Sequence, residues 1–244
     1  MTPLVERIPS GFSIPKGVRL FAVGDIHGRV DLLEQTIRKI DAHLRDYPSS
    51  RSIRIFLGDY VDRGPKSRDV LDALIDIGKR SETVFLRGNH EAFLLDVLLN
   101  PAILPTWKTF GGLETLISYG VSSPLNPDIA GSLKIVDAFI EKLPAEHVQF
   151  LKTLSPCFSF GDIFFAHAGV RPGLGLAVQS VADLMWIRDE FLEHDELFEK
   201  LIVHGHTPVK TPDVRLNRIN IDTGAYATGR LTCVCFEEDR FAFL

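Results

Sequence analysis

The chain has 244 residues, enough for one large domain or two small ones, and its 45% hydrophobic content fits a packed core, not a disordered segment. A net charge of −5 and a pI near 5.9 argue against non-specific binding to nucleic acid or anionic membrane surfaces, although local cations can still attract an anionic substrate. No window approaches the roughly 18 unbroken apolar residues of a membrane span, and the opening MTPLVERIPSGFSIPKG has acidic Glu6, prolines and no apolar h-region, so a secretory signal is not expected either.

Val18–Val23 reads as a buried strand. From Val30 onward, apolar residues at 33, 37, 40 and 44 predict an amphipathic helix to about Leu44, ended by Tyr47-Pro48-Ser49-Ser50. A second strand is expected over 53–57, a helix over 67–78 through Val70, Leu71, Leu74 and Ile75, a third strand over 83–86 and a helix over 91–99. Strands alternating with helices indicate βαβ units and a largely parallel sheet. Over 101–156 prolines and glycines punctuate short helical patterns with no clear strand, which predicts a helical insertion over one edge of a single domain spanning 1–244. Strand-like runs return at 163–166, 201–203, 215–221, 231–236 and 241–243, the last two joined by a hairpin through Glu237-Glu238-Asp239-Arg240. Cys157, Cys233 and Cys235 are read as small buried hydrophobes in a reducing cytosol, with Cys233 and Cys235 on one strand face. A cytoplasmic protein is expected.

The polar residues collect at strand ends. VGDIHG (23–28), LGDYVDRG (57–64) and LRGNHE (86–91) each follow one of the first three strands, and FFAHAG and LIVHGHTP follow two later ones. In open α/β sheets, ligands bind beyond the carboxyl ends of the strands. Asp25, His27, Asp59, Asp62, Asn89, His90, His167, His204 and His206 would therefore face one crevice, with Gly24, Gly58 and Gly88 letting the backbone turn sharply. A lone Asp after a strand is ordinarily a turn former, and a lone His a structural group. Seven or so such groups converging is different, because clustered carboxylates repel and their unpaired burial is costly. Carboxylate, imidazole and amide oxygen together suit Mn²⁺, Fe²⁺ or Zn²⁺. The set has no cysteine, unlike structural zinc sites, and six donors suit two bridged ions of the phosphate-ester-hydrolysing kind.

GDIHG, GDYVDRG and GNHE in this order resemble the signature of the phosphoprotein phosphatase family of metallophosphoesterases, and HAG and HGHTP resemble its later ligand motifs. The likeness runs from about residue 18 to 230, and the stretch WKTFGGLETLISYG at 107–120 is similar to the bacterial and phage branch. The resemblance implies a mixed α/β fold, a four-layer αββα sandwich of two mixed sheets. It also implies two divalent metal ions, Mn²⁺ first with iron or Zn²⁺ as alternatives. Asp25, His27 and His206 would hold one ion, Asn89 and His167 the other, and Asp59 would bridge them. His204 matches no family ligand and is expected to be structural or to support a ligand from behind.

The expected chemistry is direct attack of hydroxide on phosphorus, without a phosphoenzyme. Arg63 and Arg87, beside Asp62 and Asn89, are candidate phosphate forks, and Arg188 in LMWIRDEF resembles a further phosphate-binding arginine. His90 would be the general acid, oriented by Asp62. The intact VDRGP favours a serine/threonine protein phosphatase, with phosphotyrosine and small phosphoesters as further substrates, because alkoxides leave poorly and need the acid. The alternative is a symmetrical bis(5′-nucleosyl)-tetraphosphate hydrolase, in which the acid of that Asp–Arg pair is usually altered. A dead phosphopeptide-binding module would need a gap in the set, and there is none. The expected partner is a phosphoprotein, with no nucleic acid and no membrane. The short ending DTGAYATGRL lacks the long loop of larger phosphatases, so no dedicated regulatory subunit is expected and substrate choice falls to 101–156.

Overall fold

The computed structural model describes residues 6–124 and 127–244. The first five residues of the proline-broken lead-in lie outside the described residues.

Eleven strands are assigned among these residues: β1 (Glu6–Arg7), β2 (Val18–Val23), β3 (Arg51–Phe56), β4 (Thr83–Phe85), β5 (Cys157–Phe160), β6 (Ile163–Ala166), β7 (Leu201–His204), β8 (Asp213–Val214), β9 (Arg218–Asn220), β10 (Cys233–Glu237) and β11 (Arg240–Phe243). They form two mixed sheets. The first has the order β1-β11-β10-β2-β3-β4, with β2, β3 and β4 parallel. The second has the order β5-β6-β7-β9-β8, with β6, β7 and β9 parallel.

Side-chain alternation sorts the layers. Leu20, Ala22, Ile53, Ile55, Val234 and Phe236 of the first sheet meet Ile163, Phe165, Leu201, Val203 and Ile219 of the second, forming the core between the sheets. Their neighbours Phe21, Val23, Phe56, Cys233 and Cys235 point the other way, onto helices. Those helices are α1 (Val30–Asp46), α2 (Ser67–Arg80) and α3 (Asn89–Leu99), and then α4 (Leu104–Trp107), α5 (Leu113–Ser118), α6 (Ile129–Lys142) and α7 (Ala145–Thr153). On the far side, Phe164, Ala166 and Ile202 pack against Leu184 of α8 (Val181–Trp186) and Phe191 of α9 (Asp189–Leu192). The result is the four-layer αββα sandwich. Burying each large aliphatic or aromatic side chain contributes about 1.5–3 kcal/mol.

The expected elements β2, α1, β3, α2, β4 and α3 appear in order, and the described residues of 101–156 are mostly helical, with no strand among them. Two differences stand out. Of the run 215–221 only Arg218–Asn220 is strand: β9 pairs antiparallel with β8, which precedes the run, across a turn that Asn217 pins by donating to the His194 and Glu196 carbonyls. β5, unforeseen, is the second sheet's edge and pairs with β6 in register Cys157↔Ala166. Cys233 and Cys235 are buried side by side on the helix-facing side, as expected. No helix among the described residues is long and apolar enough to cross a membrane.

Candidate active site

The two sheets are joined so that the carboxyl ends of their parallel strands open on one face. β2 delivers Asp25 and His27; β3 delivers Asp59, Asp62 and Arg63; β4 delivers Arg87, Asn89 and His90. From the second sheet β6 brings His167, β7 brings His206 and β9 brings Asp222. All six expected metal-ligand side chains are buried.

Asp59 is central, and its two oxygens face different neighbours. Oδ2 lies 3.5 Å from His27 Nε2 and 3.8 Å from His90 Nε2, while Oδ1 lies 3.3 Å from His167 Nε2. His167 Nε2 is also 3.0 Å from Asn89 Oδ1. Asp25 Oδ2 accepts from the His206 amide at 3.1 Å. The donor atoms of His27, Asp59 and His90 lie within 4.8 Å of one another, as do those of Asp59, His167 and His206. His206 thus clusters with His167 as well as approaching Asp25.

Three buried atoms of this set have no hydrogen-bond partner: Asp25 Oδ1, His27 Nε2 and His206 Nε2. Desolvated polar atoms are ordinarily paired, and orphans of this kind converging with a carboxylate and imidazoles fit divalent cations. His27 Nδ1 bonds the Val61 carbonyl at 2.8 Å and His167 Nδ1 the Leu57 carbonyl at 2.9 Å. Each imidazole therefore has its Nε2 turned to the site, the second-sphere device that fixes a ligand's tautomer and orientation.

The backbone is strained here. Seven described non-glycine residues have positive φ, and five belong to the site: His27 (45°), Asp59 (51°), Asp62 (71°), Arg63 (66°) and His206 (67°). Each costs of order 1–3 kcal/mol, and such outliers cluster at functional sites. Gly88 has negative φ, so its role is not the sharp turn expected; a Cβ there would lie 2.2 Å from Asp59 Oδ1. A Cβ at Gly205 would lie 2.1 Å from Asp25 Oδ1. These glycines let the carboxylates lie against bare backbone.

Asp62 and His90 form a buried pair, with His90 Nδ1 donating to Asp62 Oδ2 at 2.7 Å. The same carboxylate accepts from Trp107 Nε1 at 2.9 Å and, through Oδ1, from the Thr115 hydroxyl at 2.6 Å. Both donors come from the helical segment, on either side of the π-helical turn Lys108–Gly112. That turn also gives its Gly111 carbonyl to the Arg63 amide.

Arg63 Nη2 lies 3.1 Å from His90 Nε2, and Arg188 Nη1 donates to Thr207 Oγ1 at 3.2 Å. Both arginines line a cavity of about 580 Å³ with Lys108, Phe110, Glu114, His206 and Tyr226. Arg87 is absent from that lining, and its Nη2 donates to the Lys152 carbonyl in α7 at 3.3 Å. His204 packs edge-on to Phe191, 4.9 Å between ring centroids, with Nδ1 on the Gly205 carbonyl, and burial pushes it down to about 3.

The electrostatics are those of a site needing positive charge. Burial and the neighbouring Asp222 push Asp25 well above the usual carboxyl range. Burial also raises Glu91 to about 7 and Asp222 to about 6. Burial lowers His27 to about 3 and, with His167 beside it, His206 to about 2. Burial acts against a charged His167 too, but Asp59 and Asp25 outweigh it and raise the imidazole to about 10. Burial likewise opposes charge on His90, yet Asp59 and Asp62 raise it above its ordinary value.

Four contributors went unnoticed in the sequence. Glu91 accepts from the Asp59, Tyr60 and Gly88 amides at 2.9, 2.7 and 3.0 Å, tying two motif loops together. Its place after Asn89-His90 is the signal that could have found it. Asp222 reads as a turn residue in DTGA, while Trp107 and Thr115 lie in the stretch noted at 107–120, where no local pattern points to Asp62.

A family model for calcineurin-like phosphoesterases matches residues 18–238. The chain is 28% identical to an asymmetrical bis(5′-nucleosyl)-tetraphosphatase PrpE of Anoxybacillus flavithermus, over 88% of this chain and 89% of that protein. It is 26% identical to a protein of the same name from Halalkalibacterium halodurans, over 90% of each. A crystal structure of a protein provisionally named a diadenosine tetraphosphatase superposes with TM-score 0.63 at 18% identity, over 97% of this chain and 95% of that one. The expectation of a serine/threonine protein phosphatase is corrected by these names. The physical reason is that Asp62–His90 is in place, but a proton donor serves any phosphate leaving group and does not select one. The symmetrical cleavage weighed as the alternative also differs from the relatives' asymmetrical one. With the family model matching nearly the whole chain, this protein belongs to the calcineurin-like phosphoesterase family.

Proposed function

We propose that the protein hydrolyses dinucleoside tetraphosphates asymmetrically, giving a nucleoside triphosphate and a nucleoside monophosphate. The observation that carries the chemistry is Asp59, one oxygen toward His27 and the other toward His167. Asp25, His27 and His206 would hold one divalent cation, Asn89 and His167 a second, with Asp59 between them. Bound there, the cations would neutralise phosphate oxygens and supply water acidic enough to ionise near neutral pH.

The chain's own residues do the rest. Arg63 and Arg188 line the cavity from two sides and fork onto phosphate oxygens, spreading the charge that develops as the P–O bond breaks. Arg87 reaches phosphate only by leaving the Lys152 carbonyl. His90 delivers a proton from Nε2 to the departing oxygen, while Asp62 holds Nδ1 and Trp107 and Thr115 hold Asp62. The substrate assignment is supported by the names of relatives aligned along nearly the whole chain.

Protein stripped with chelator and reloaded with Mn²⁺ should be given diadenosine tetraphosphate and a phosphoserine peptide in parallel. The dinucleotide is expected to be preferred by at least ~100-fold in kcat/KM, about 2.7 kcal/mol of transition-state stabilisation. Equal or reversed preference would refute the assignment.

A further inference from the structure

Among the described residues four aromatic side chains are exposed: Tyr47 at 37%, Phe110 at 41%, Trp186 at 44% and Tyr226 at 40%. Three of them border the active-site cavity. Phe110 and Tyr226 line it. Trp186 stands edge-on to His206, which also lines it, with ring centroids 6.2 Å apart at 81°. Single exposed hydrophobics are ordinary on any protein, but rings gathered at one cationic cleft are not a random scatter.

Each ring is braced on one side. The Arg63 guanidinium carbon sits 5.1 Å above the centre of Tyr226, whose edge meets His27 at 5.5 Å. Phe110 packs against Phe93 at 5.6 Å and precedes Gly111, whose carbonyl receives the Arg63 amide. Trp186 stands two residues before Arg188. Flat apolar surface therefore lies against Arg63 and, through Trp186, against His206 in the cavity wall that Arg188 shares. Lys108 adds a third cation to the cavity wall, and among the described residues Glu114 is the one acid in it.

A ligand matching this surface has a planar aromatic part attached to a run of negative charge. We propose that Phe110, Tyr226 and Trp186 form a nucleobase-stacking rim, so that a nucleoside polyphosphate is held by its bases as well as by its phosphates. This rests on the dinucleotide reading above and adds to it the residues that select a nucleotide over a bare polyphosphate. Stacking on such rings tolerates any base, because every base has a π face. A tetraphosphate joins two bases, and the rim offers one ring beside Arg63 and another beside His206 in the same cavity wall.

The chain has two tryptophans, and Trp107 is fully buried, so quenching by an added ligand reports Trp186. The Mn²⁺-loaded protein is titrated with a non-hydrolysable methylene analogue of diadenosine tetraphosphate, with inorganic tetraphosphate and with O-phosphotyrosine. The analogue is expected to quench emission and to bind about 10-fold tighter than tetraphosphate. Trp186→Phe should abolish the quenching yet keep most of the affinity, since phenylalanine still stacks. Trp186→Ala and Phe110→Ala should each weaken the analogue several-fold relative to tetraphosphate. Tyr226 is left intact because Arg63 rests on it. The rim is refuted if analogue and tetraphosphate bind alike, if the alanine variants weaken both equally, or if phosphotyrosine quenches as strongly as the analogue. These outcomes are separable from the activity: a wild-type protein that cleaves the dinucleotide without base-dependent binding sinks only the rim. One that does not cleave it sinks the parent reading.

Discussion

The strand ends and the helical segment 101–156 contribute to the same site in opposite ways. The strand ends supply whole motifs, short in sequence, in which charged donors sit on strained turns and face one another with orphaned lone pairs. The helical segment supplies single residues, Trp107 and Thr115, that reach Asp62 across 45 and 53 residues of sequence. The strand ends are built to hold charge, and the segment is built to hold one of the strand-end residues still. The sequence reading assigned 101–156 to substrate choice. The hydrogen bonds show another duty, holding the Asp62 carboxylate that His90 bonds.

That division can be broken experimentally. Asp59→Asn removes charge from the centre of the cluster and should have the largest effect, cutting metal content below one ion per chain and turnover by ~10³-fold or more. Atomic absorption and steady-state kinetics read both quantities, and full metal content with near-normal turnover would dismantle the account of Asp59. His90→Asn should leave metal content intact and lower kcat by about 10²-fold, the low end of what general acid–base catalysis contributes. Its signature lies in the pH profile. The protonated imidazole is the active form and its pKa is raised, so wild-type kcat should hold through pH 6.5 and fall only as pH climbs past the raised value. In His90→Asn that alkaline limb should be gone.

Trp107→Phe and Thr115→Val sharpen the comparison from the helical side. Each deletes one hydrogen bond to a charged carboxylate, worth about 1.5–3 kcal/mol where the bond matters fully, so kcat should fall about 10- to 100-fold at unchanged metal stoichiometry. Loss of metal from either variant would mean that the segment supports the ligand cage and not only the pair. The smallest effect is a count of protons. His167 is raised to about 10, so the chelator-stripped protein carries a proton there at pH 7. Metal binding must displace it, because imidazole ligates only when neutral. Calorimetry in buffers of different ionisation enthalpy should show release of at least one proton per chain, and none would contradict the assignment of His167 as a ligand.

What the sequence revealed follows the same division. The strand-end residues were readable because a turn motif carries its donors within a few positions, and because strand-to-helix alternation puts successive motifs on one edge of a sheet. Ile26, between Asp25 and His27, is buried in the helix-facing core, as a motif alternating about a turn demands. Asp222 escaped notice because an aspartate before Thr-Gly has an ordinary turn explanation, and only its approach to Asp25 reveals otherwise. The shortening of the 215–221 run to β9, after a turn from β8, depends on Asn217 reaching two distant carbonyls, again invisible locally. Substrate class was misjudged on VDRGP for a chemical reason: an Asp–His pair able to donate a proton does not specify what leaves.

The central claim is tested most directly by the products of diadenosine tetraphosphate cleaved by the Mn²⁺-loaded protein in ¹⁸O-enriched water. The account predicts equal amounts of ATP and AMP, with one ¹⁸O per cleavage in only one of the two nucleotides. Two molecules of ADP, or no cleavage at all, would contradict it.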